Sequence, residues 1–345
     1  MRFGAHYLPT YVPELDGSGA DFYRKMIEQM QELDRLGYAD VWVTEHHFDV
    51  YGGMISTPPA FLAAVAQATQ RIHLGVAISV LPLHNPLQVA ESYAAVDVIS
   101  GGRLEFGLGR GSTLREFAGF KISHDDSPTR MRESAEIVLK AWGDGPFTFH
   151  GELFDYEDID VLPKPVQRPH PTIWVGASRS DGTFRWAGDH GFNLMTLPYM
   201  YDPPVLKEWV DHYRESLVAA GHNPSTRDIL GKFHIYVADS DAKAREEALP
   251  YLQNYRDIAN RRNSGNIAGA GGQFDLDEQI LRGDVIAGDP QRVIEVIHQW
   301  RERLGLTTIS GTVFFGGMPQ DMALRNIRLF AERVMPAFAP AASPA

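Results

Sequence analysis

The chain has 345 residues, 44% of them hydrophobic and 22% charged, an ordinary globular composition with enough apolar mass for a large core. A formal net charge of -12, with only short isolated basic clusters, disfavours a nucleic-acid partner because such a surface repels phosphates. Cysteine is absent, which excludes disulfides and thiolate metal sites, and no secretory leader or bilayer-length apolar run is legible, so a soluble cytoplasmic protein is expected.

Apolar runs alternate with helical patterns from the start. Residues 2–7 (RFGAHY) read as a strand, and 20–36 as a helix with Phe22, Met26, Met30, Leu33 and Leu36 at helical spacing and Gly37 as its terminator. Strand two spans 39–47 (ADVWVTEHH), and a helix runs from about Pro59 to Gln70. Strand three spans 72–81, and the helix over 85–100 opens on Asn85 as cap with Pro86 in its first turn. Strand four spans 103–109, followed by a helix over 127–142 capped by Ser127.

Between 143 and 171 the rhythm breaks into what reads as an inserted hairpin and a Pro-rich connector. It resumes with strands at 172–178, 192–196 and 232–238, each followed by a helix, at 181–190, 203–220 and 241–261. The Gly- and Asn-rich stretch 260–284 lacks a hydrophobic period and reads as a mobile loop or lid before strand eight. Asp289 and Pro290 open a helix through Leu304, strand eight spans 307–315, and a last helix covers 321–338. Residues 1–338 form one domain in this reading, with 339–345 as a disordered tail.

Eight strands of near-continuous apolar composition, each followed by a helix, point to parallel pairing. Eight such units suit a closed (β/α)8 TIM barrel; an open sheet with a small C-terminal domain is the alternative. In a barrel of this kind chemistry sits where strands end and βα loops begin, so the strand ends select the candidates.

The stretch GLGRG at 107–111 ends strand four. Its glycines are misplaced for a dinucleotide fingerprint, but Gly109 and Gly111 permit close backbone approach and Arg110 can fork onto phosphate oxygens. The alternative is a tight turn with an arginine in an ordinary ion pair. After strand five, GASRSDGTFRWA (176–187) leads small and hydroxyl residues into a helix N-terminus, where free N–H groups favour an anion; Ser178, Ser180, Asp181 and Thr183 are equally ordinary capping residues. Arg130 can supply a further cation or simply a surface salt bridge.

TEHHF (44–48) ends strand two, and an imidazole there can donate or accept a proton near neutral pH. Only one of His46 and His47 faces the mouth unless the strand has already ended; Glu45 can hold or tune it, and a core histidine is the plain alternative. Metal hydrolysis is disfavoured, since strand one offers only His6 and adjacent histidines are poor joint ligands for one ion. No nucleophile elbow is present.

With these pieces in order, the chain resembles the bacterial luciferase-like flavin-dependent monooxygenases over nearly its whole length. The densest likeness is IHLGVAISVLPLHNPLQVAESYAAVDVISGGRLEFGLGRG (72–111), joined by VWVTEHHF, PTIWVGAS and the closing GGMPQDMALRNIRLFAERVMPAF. The resemblance implies FMN at the C-terminal mouth, reduced by a separate flavin reductase, and oxygen addition at the flavin C4a to oxygenate a small organic substrate. It places the active-site histidine at His46, phosphate contacts at Arg110, Arg130, Gly176, Ala177, Ser178 and Thr183, and a bulge with a non-proline cis peptide under the ring at Ala77–Ile78. Gly109 stands where luciferase itself has a cysteine, which leaves room near C4a and argues against light emission. His6, Tyr7, Phe48, His84, Tyr199 and Phe315 are expected pocket walls. The resemblance also implies a homodimer through helices two and three, with which the small residues of AFLAAVAQA (60–68) agree. Two rivals share the barrel: an F420-dependent oxidoreductase that transfers hydride, and a catalytically silent flavin-binding subunit.

Overall fold

β1 (Arg2–Tyr7) leads through the single turn α1 (Pro13–Asp16) into α2 (Gly19–Leu36). Ser18 and Asp21 form a reciprocal capping box at the start of α2, and Gly37 closes it at φ 83°, so the helix buries Phe22, Met26, Met30 and Leu33 as its spacing requires. β2 (Asp40–Val43), α3 (Pro58–Ala68), β3 (His73–Val80), α4 (Pro86–Ser100) and β4 (Leu104–Gly109) continue the alternation. Asn85 caps α4 by accepting from the Leu87 N–H at 2.9 Å, as its sequence position predicts. After α5 (Leu114–Phe120) and α6 (Ser127–Trp142) comes the antiparallel hairpin of β5 (Phe147–His150) and β6 (Asp155–Ile159). The second half consists of β7 (Thr172–Gly176), α7 (Asp181–Asp189), β8 (Asn193–Thr196), α8 (Pro203–Ala219), β9 (Ile229–Val237), α9 (Asp241–Asn263), α10 (Leu276–Arg282), β10 (Val285–Gly288), α11 (Pro290–Leu304), β11 (Thr308–Thr312) and α12 (Gln320–Arg333).

This computed structural model describes residues 1–178, 180–263 and 276–339. Residues 264–275 of the loop expected at 260–284, and all but the first residue of the expected tail, lie outside the described residues. The strands pair in parallel in the order β1, β2, β3, β4, β7, β8, β9, β11, and β11 pairs back onto β1, so eight strands close a (β/α)8 barrel. Neighbours in register point to the same face, which sets His6, Thr312 and His234 side by side, with Gly4, Ser310 and Lys232 two residues nearer the strand starts.

Below the mouth the barrel is filled. Trp42 and Trp174 meet edge to face at 5.3 Å and pack with Met195 and Leu230. The rings occupy space that glycines vacate: a Cβ at Gly75 would lie 2.1 Å from the Trp42 ring. At the opposite end Arg2 pairs with Asp40 at 3.2 Å, Glu105 at 3.1 Å and Asp228 at 3.5 Å, tying together strands that are remote in sequence.

Four local features differ from the expectation. β2 ends at Val43, so both histidines of TEHHF lie in the following loop. α5 is a helix where none was expected. α10 and β10 stand inside or just after the stretch read as a loop; among the described residues β10, the short apolar run VIAG, pairs with the far end of β9, and that pairing makes it a strand. Ser127 is the first residue of α6 rather than its cap, and its hydroxyl donates to the His124 carbonyl at 2.6 Å.

Candidate active site

A cavity of about 420 Å³ opens at the C-terminal mouth. Its wall brings together His6 from β1, His46 and Tyr51 after β2, Ala77 and Ile78 from β3, Arg110 and Glu116 after β4, Gly176, Ala177, Ser178 and Thr183 after β7, Tyr199 after β8 and Lys232 from β9. Of the expected site residues, the cavity thus unites His6, His46, Ala77, Ile78, Arg110, Gly176, Ala177, Ser178, Thr183 and Tyr199.

It does not unite the others. Tyr7 follows His6 on the same strand, so alternation turns it outward, where its hydroxyl donates to Gln29 Oε1 at 2.9 Å. Phe48 is 49% exposed and leans on Phe120. His84 and Phe315 stand behind the wall, His84 against Glu45 and Phe315 against His234. Gly109 lies beneath Ile78; a Cβ there would come within 2.2 Å of Ile78 Cδ1. Arg130 is committed elsewhere, its Nε donating to the Pro82 carbonyl at 2.9 Å and its guanidinium lying over Phe154; Arg132 reaches the cavity instead.

The peptide between Ala77 and Ile78 is cis, at a break in register between β3 and β4. On the facing wall, Ser180 and Thr183 bring their hydroxyls within 3.0 Å at the start of α7. Among the described residues Arg110 and Arg132 have no ion-pair partner. Asp181, in the same helix turn, is already paired with Arg185 at 2.7 Å and His212 at 2.6 Å. Hydroxyls, helix N–H groups and two uncommitted guanidinium groups together form a donor set that fits a phosphate.

His46 Nδ1 lies 3.0 Å from Glu116 Oε1, and the same oxygen accepts from the His47 N–H at 3.0 Å. A carboxylate only accepts, so it holds the proton on Nδ1 and leaves Nε2 as the basic nitrogen of the ring. Glu116 was not legible as part of the site, because α5 was not; the pattern Thr113-Leu-Arg-Glu116, a helix-start signature, was the available signal. Glu45 does not hold His46, as expected, but pairs with His47 at 3.1 Å and His84 at 2.6 Å. Burial alone would raise the Glu45 carboxyl; the hydrogen bonds from the two histidines outweigh it and hold the group at about 2.

Lys232 also escaped notice, although it is the one charge within an otherwise apolar strand. It is buried, and burial pulls its ammonium down to about 7. His234 is pushed down to about 3 by burial and then by Lys232, and His6 is lowered well below its usual range for the same reasons.

A closed parallel barrel with its cavity at the strand C-termini is the architecture of a (β/α)8-barrel enzyme. The family model described as luciferase-like monooxygenase matches residues 1–308, and the chain belongs to that family. The crystal structure of monooxygenase RslO1 from Streptomyces bottropensis is 31% identical, superposes with a TM-score of 0.90, and covers 98% of this chain and 100% of that one. Limonene 1,2-monooxygenase of Rhodococcus erythropolis is 26% identical over 98% of this chain and 87% of its own length. The oxygenase component of the flavin-dependent trigonelline monooxygenase of Acinetobacter baylyi is 28% identical over 92% of this chain and 90% of its own. No described helix is long and apolar enough to cross a membrane.

Proposed function

We propose that the protein is the oxygenase component of a two-component, FMN-dependent monooxygenase that acts on a small organic substrate. One observation carries the reading: a single cavity joins a phosphate-competent helix start and Arg110 to an imidazole held by a buried carboxylate. Relatives named as monooxygenases, one of them an oxygenase component, support it. Reduced FMN supplies two electrons to O2, so that one oxygen atom enters the substrate and the other leaves as water.

The chain's own residues divide the remaining work. Ser178, Ser180, Thr183 and Arg110 would hold the phosphate end, and Arg132 adds a second cation to that wall. Ala77 and Ile78 line the cavity without a polar group, with Gly176 and Gly109 packed against Ile78, and would take the flat ring. His46 Nε2 would deliver or take one proton beside it, with Glu116 steadying the imidazolium form. The tryptophan-filled barrel below the mouth keeps water from entering there. A transient flavin reductase, a homodimer through α3 and α4, and a single domain over residues 1–338 belong to the same reading.

The test is an anaerobic titration with reduced FMN and with reduced F420, followed by admission of 18O2 over a panel of ketones, alkenes and N-heterocycles. FMN binding and one 18O per product molecule are expected. Exclusive binding of F420, with oxygen-independent turnover, would replace this reading with the hydride-transfer one.

A further inference from the structure

Among the described residues, one buried positive charge of the barrel mouth has no counter-charge. Lys232 rises from the middle of β9, 4% exposed, opposite β3 in the eight-strand ring. Among the described residues no hydrogen bond or ion pair reaches its ammonium, and its displaced titration has burial as the sole cause. Four polar atoms on β9, β11 and β1 are buried and, among the described residues, equally without a partner: His234 Nε2, Ser310 Oγ, Thr312 Oγ1 and His6 Nδ1. The cavity's two carboxylates, Glu45 and Glu116, are already held by His47 and His84 and by His46.

A buried cation with no acceptor is unfavourable, and buried hydroxyls and ring nitrogens left unpaired add to the deficit. Such a cluster persists when a ligand completes it. Flavin phosphate does not serve, because its donors follow β4 and β7, whereas Lys232 lies two strands beyond β7 in the ring. With His6 and His234 kept neutral by burial, Lys232 is the cluster's only source of charge, and an entering anion would restore it fully.

We infer that Lys232, with His6, His234, Ser310 and Thr312 around it, anchors an anionic oxygen of the substrate, so that the enzyme acts on organic acids. This rests on the proposed function, in which the flavin takes the other side of the cavity. Carboxylates and acidic phenols share the required chemistry.

The test is calorimetric titration of the FMN-loaded protein with benzoate, phenylacetate and 2-naphthoate, each against its primary amide, and with 4-nitrophenolate against nitrobenzene. We expect at least one anion to bind about tenfold tighter than its neutral counterpart, the preference vanishing in Lys232→Met and surviving within threefold in Lys232→Arg. The responding pair distinguishes carboxylate from phenolate. No anion preference in the wild type, or a preference that survives in Lys232→Met, overturns the inference. Repeating the panel without FMN separates the two readings: failure to load FMN counts against the flavin assignment alone, and the anion preference is then read on the free protein. Lys232→Met should melt at or above the wild-type temperature, whereas a lysine that merely supports the fold would lower it; Lys232→Gln replaces it in the titrations if it does not fold.

Discussion

His46 and Glu45 illustrate how two neighbours on one loop take unrelated tasks. His46 faces the cavity on a carboxylate tether, so His46→Ala should lower oxygenation turnover by about 10²–10⁴-fold while changing FMN affinity far less. Steady-state rates and a flavin titration on the same sample check this, and equal losses in both would make His46 a binding residue instead. Glu45 is structural. Its carboxyl is held at about 2 against an unfolded value near 4.5, so its stabilisation is complete above pH ~4.5 and lost as pH falls towards 2. His84 is lowered by burial but raised more by Glu45, ending above 6.5; its share is complete below pH ~6.5 and fades as pH climbs through the raised value. Glu45→Gln should therefore lose about 3 kcal/mol, most evidently between pH ~4.5 and 6.5, in chemical denaturation followed across pH.

At the scale of elements, the barrel depends on glycines set against bulky neighbours. A Cβ at Gly107 would lie 2.1 Å from the Val76 carbonyl oxygen, and backbone cannot swing aside as a side chain can. Gly107→Ala should push β3 and β4 apart and destabilise by about 3 kcal/mol. Gly182 in the first turn of α7 has nothing within 4 Å of its virtual Cβ, so Gly182→Ala should raise the melting temperature slightly. Thermal melts of the two variants side by side test the contrast. Helix limits were the most legible features of the sequence: Asn85, Gly37 and Asp289 sit where capping chemistry puts them. α5 and β10 were not legible, being too short for a period to develop, and β10 exists because β9 offers it an edge.

Across the whole molecule, Arg2 closes the barrel floor by joining carboxylates from β2, β4 and the entry to β9. Burial lifts Asp40 to about 6 even with Arg2 beside it. Arg2→Met would leave two buried carboxylates without their cation and should destabilise by about 3–5 kcal/mol at neutral pH. Because a raised carboxyl penalises folding only when ionised, and Asp40 without Arg2 is raised further, the gap to wild type should narrow as pH falls towards about 6. Urea denaturation at pH 8 and pH 5 measures both values, and a constant gap would show that packing rather than charge carries the loss.

Local chemistry determined much of this protein. The alternation of apolar runs and amphipathic helices, with caps at their ends, follows from each residue's own period and torsional preference, and it led to a closed eight-unit barrel with its site at the strand C-termini. The tertiary structure alone decided which partner each buried ionisable group obtained. Glu116 meets His46 across 70 residues of chain, Glu45 turns to His84, Arg130 is spent on a carbonyl, and Lys232 is left among uncommitted donors. Those pairings depend on distances that arise only when the last strand meets the first, and a one-dimensional pattern of side-chain directions carries no record of them.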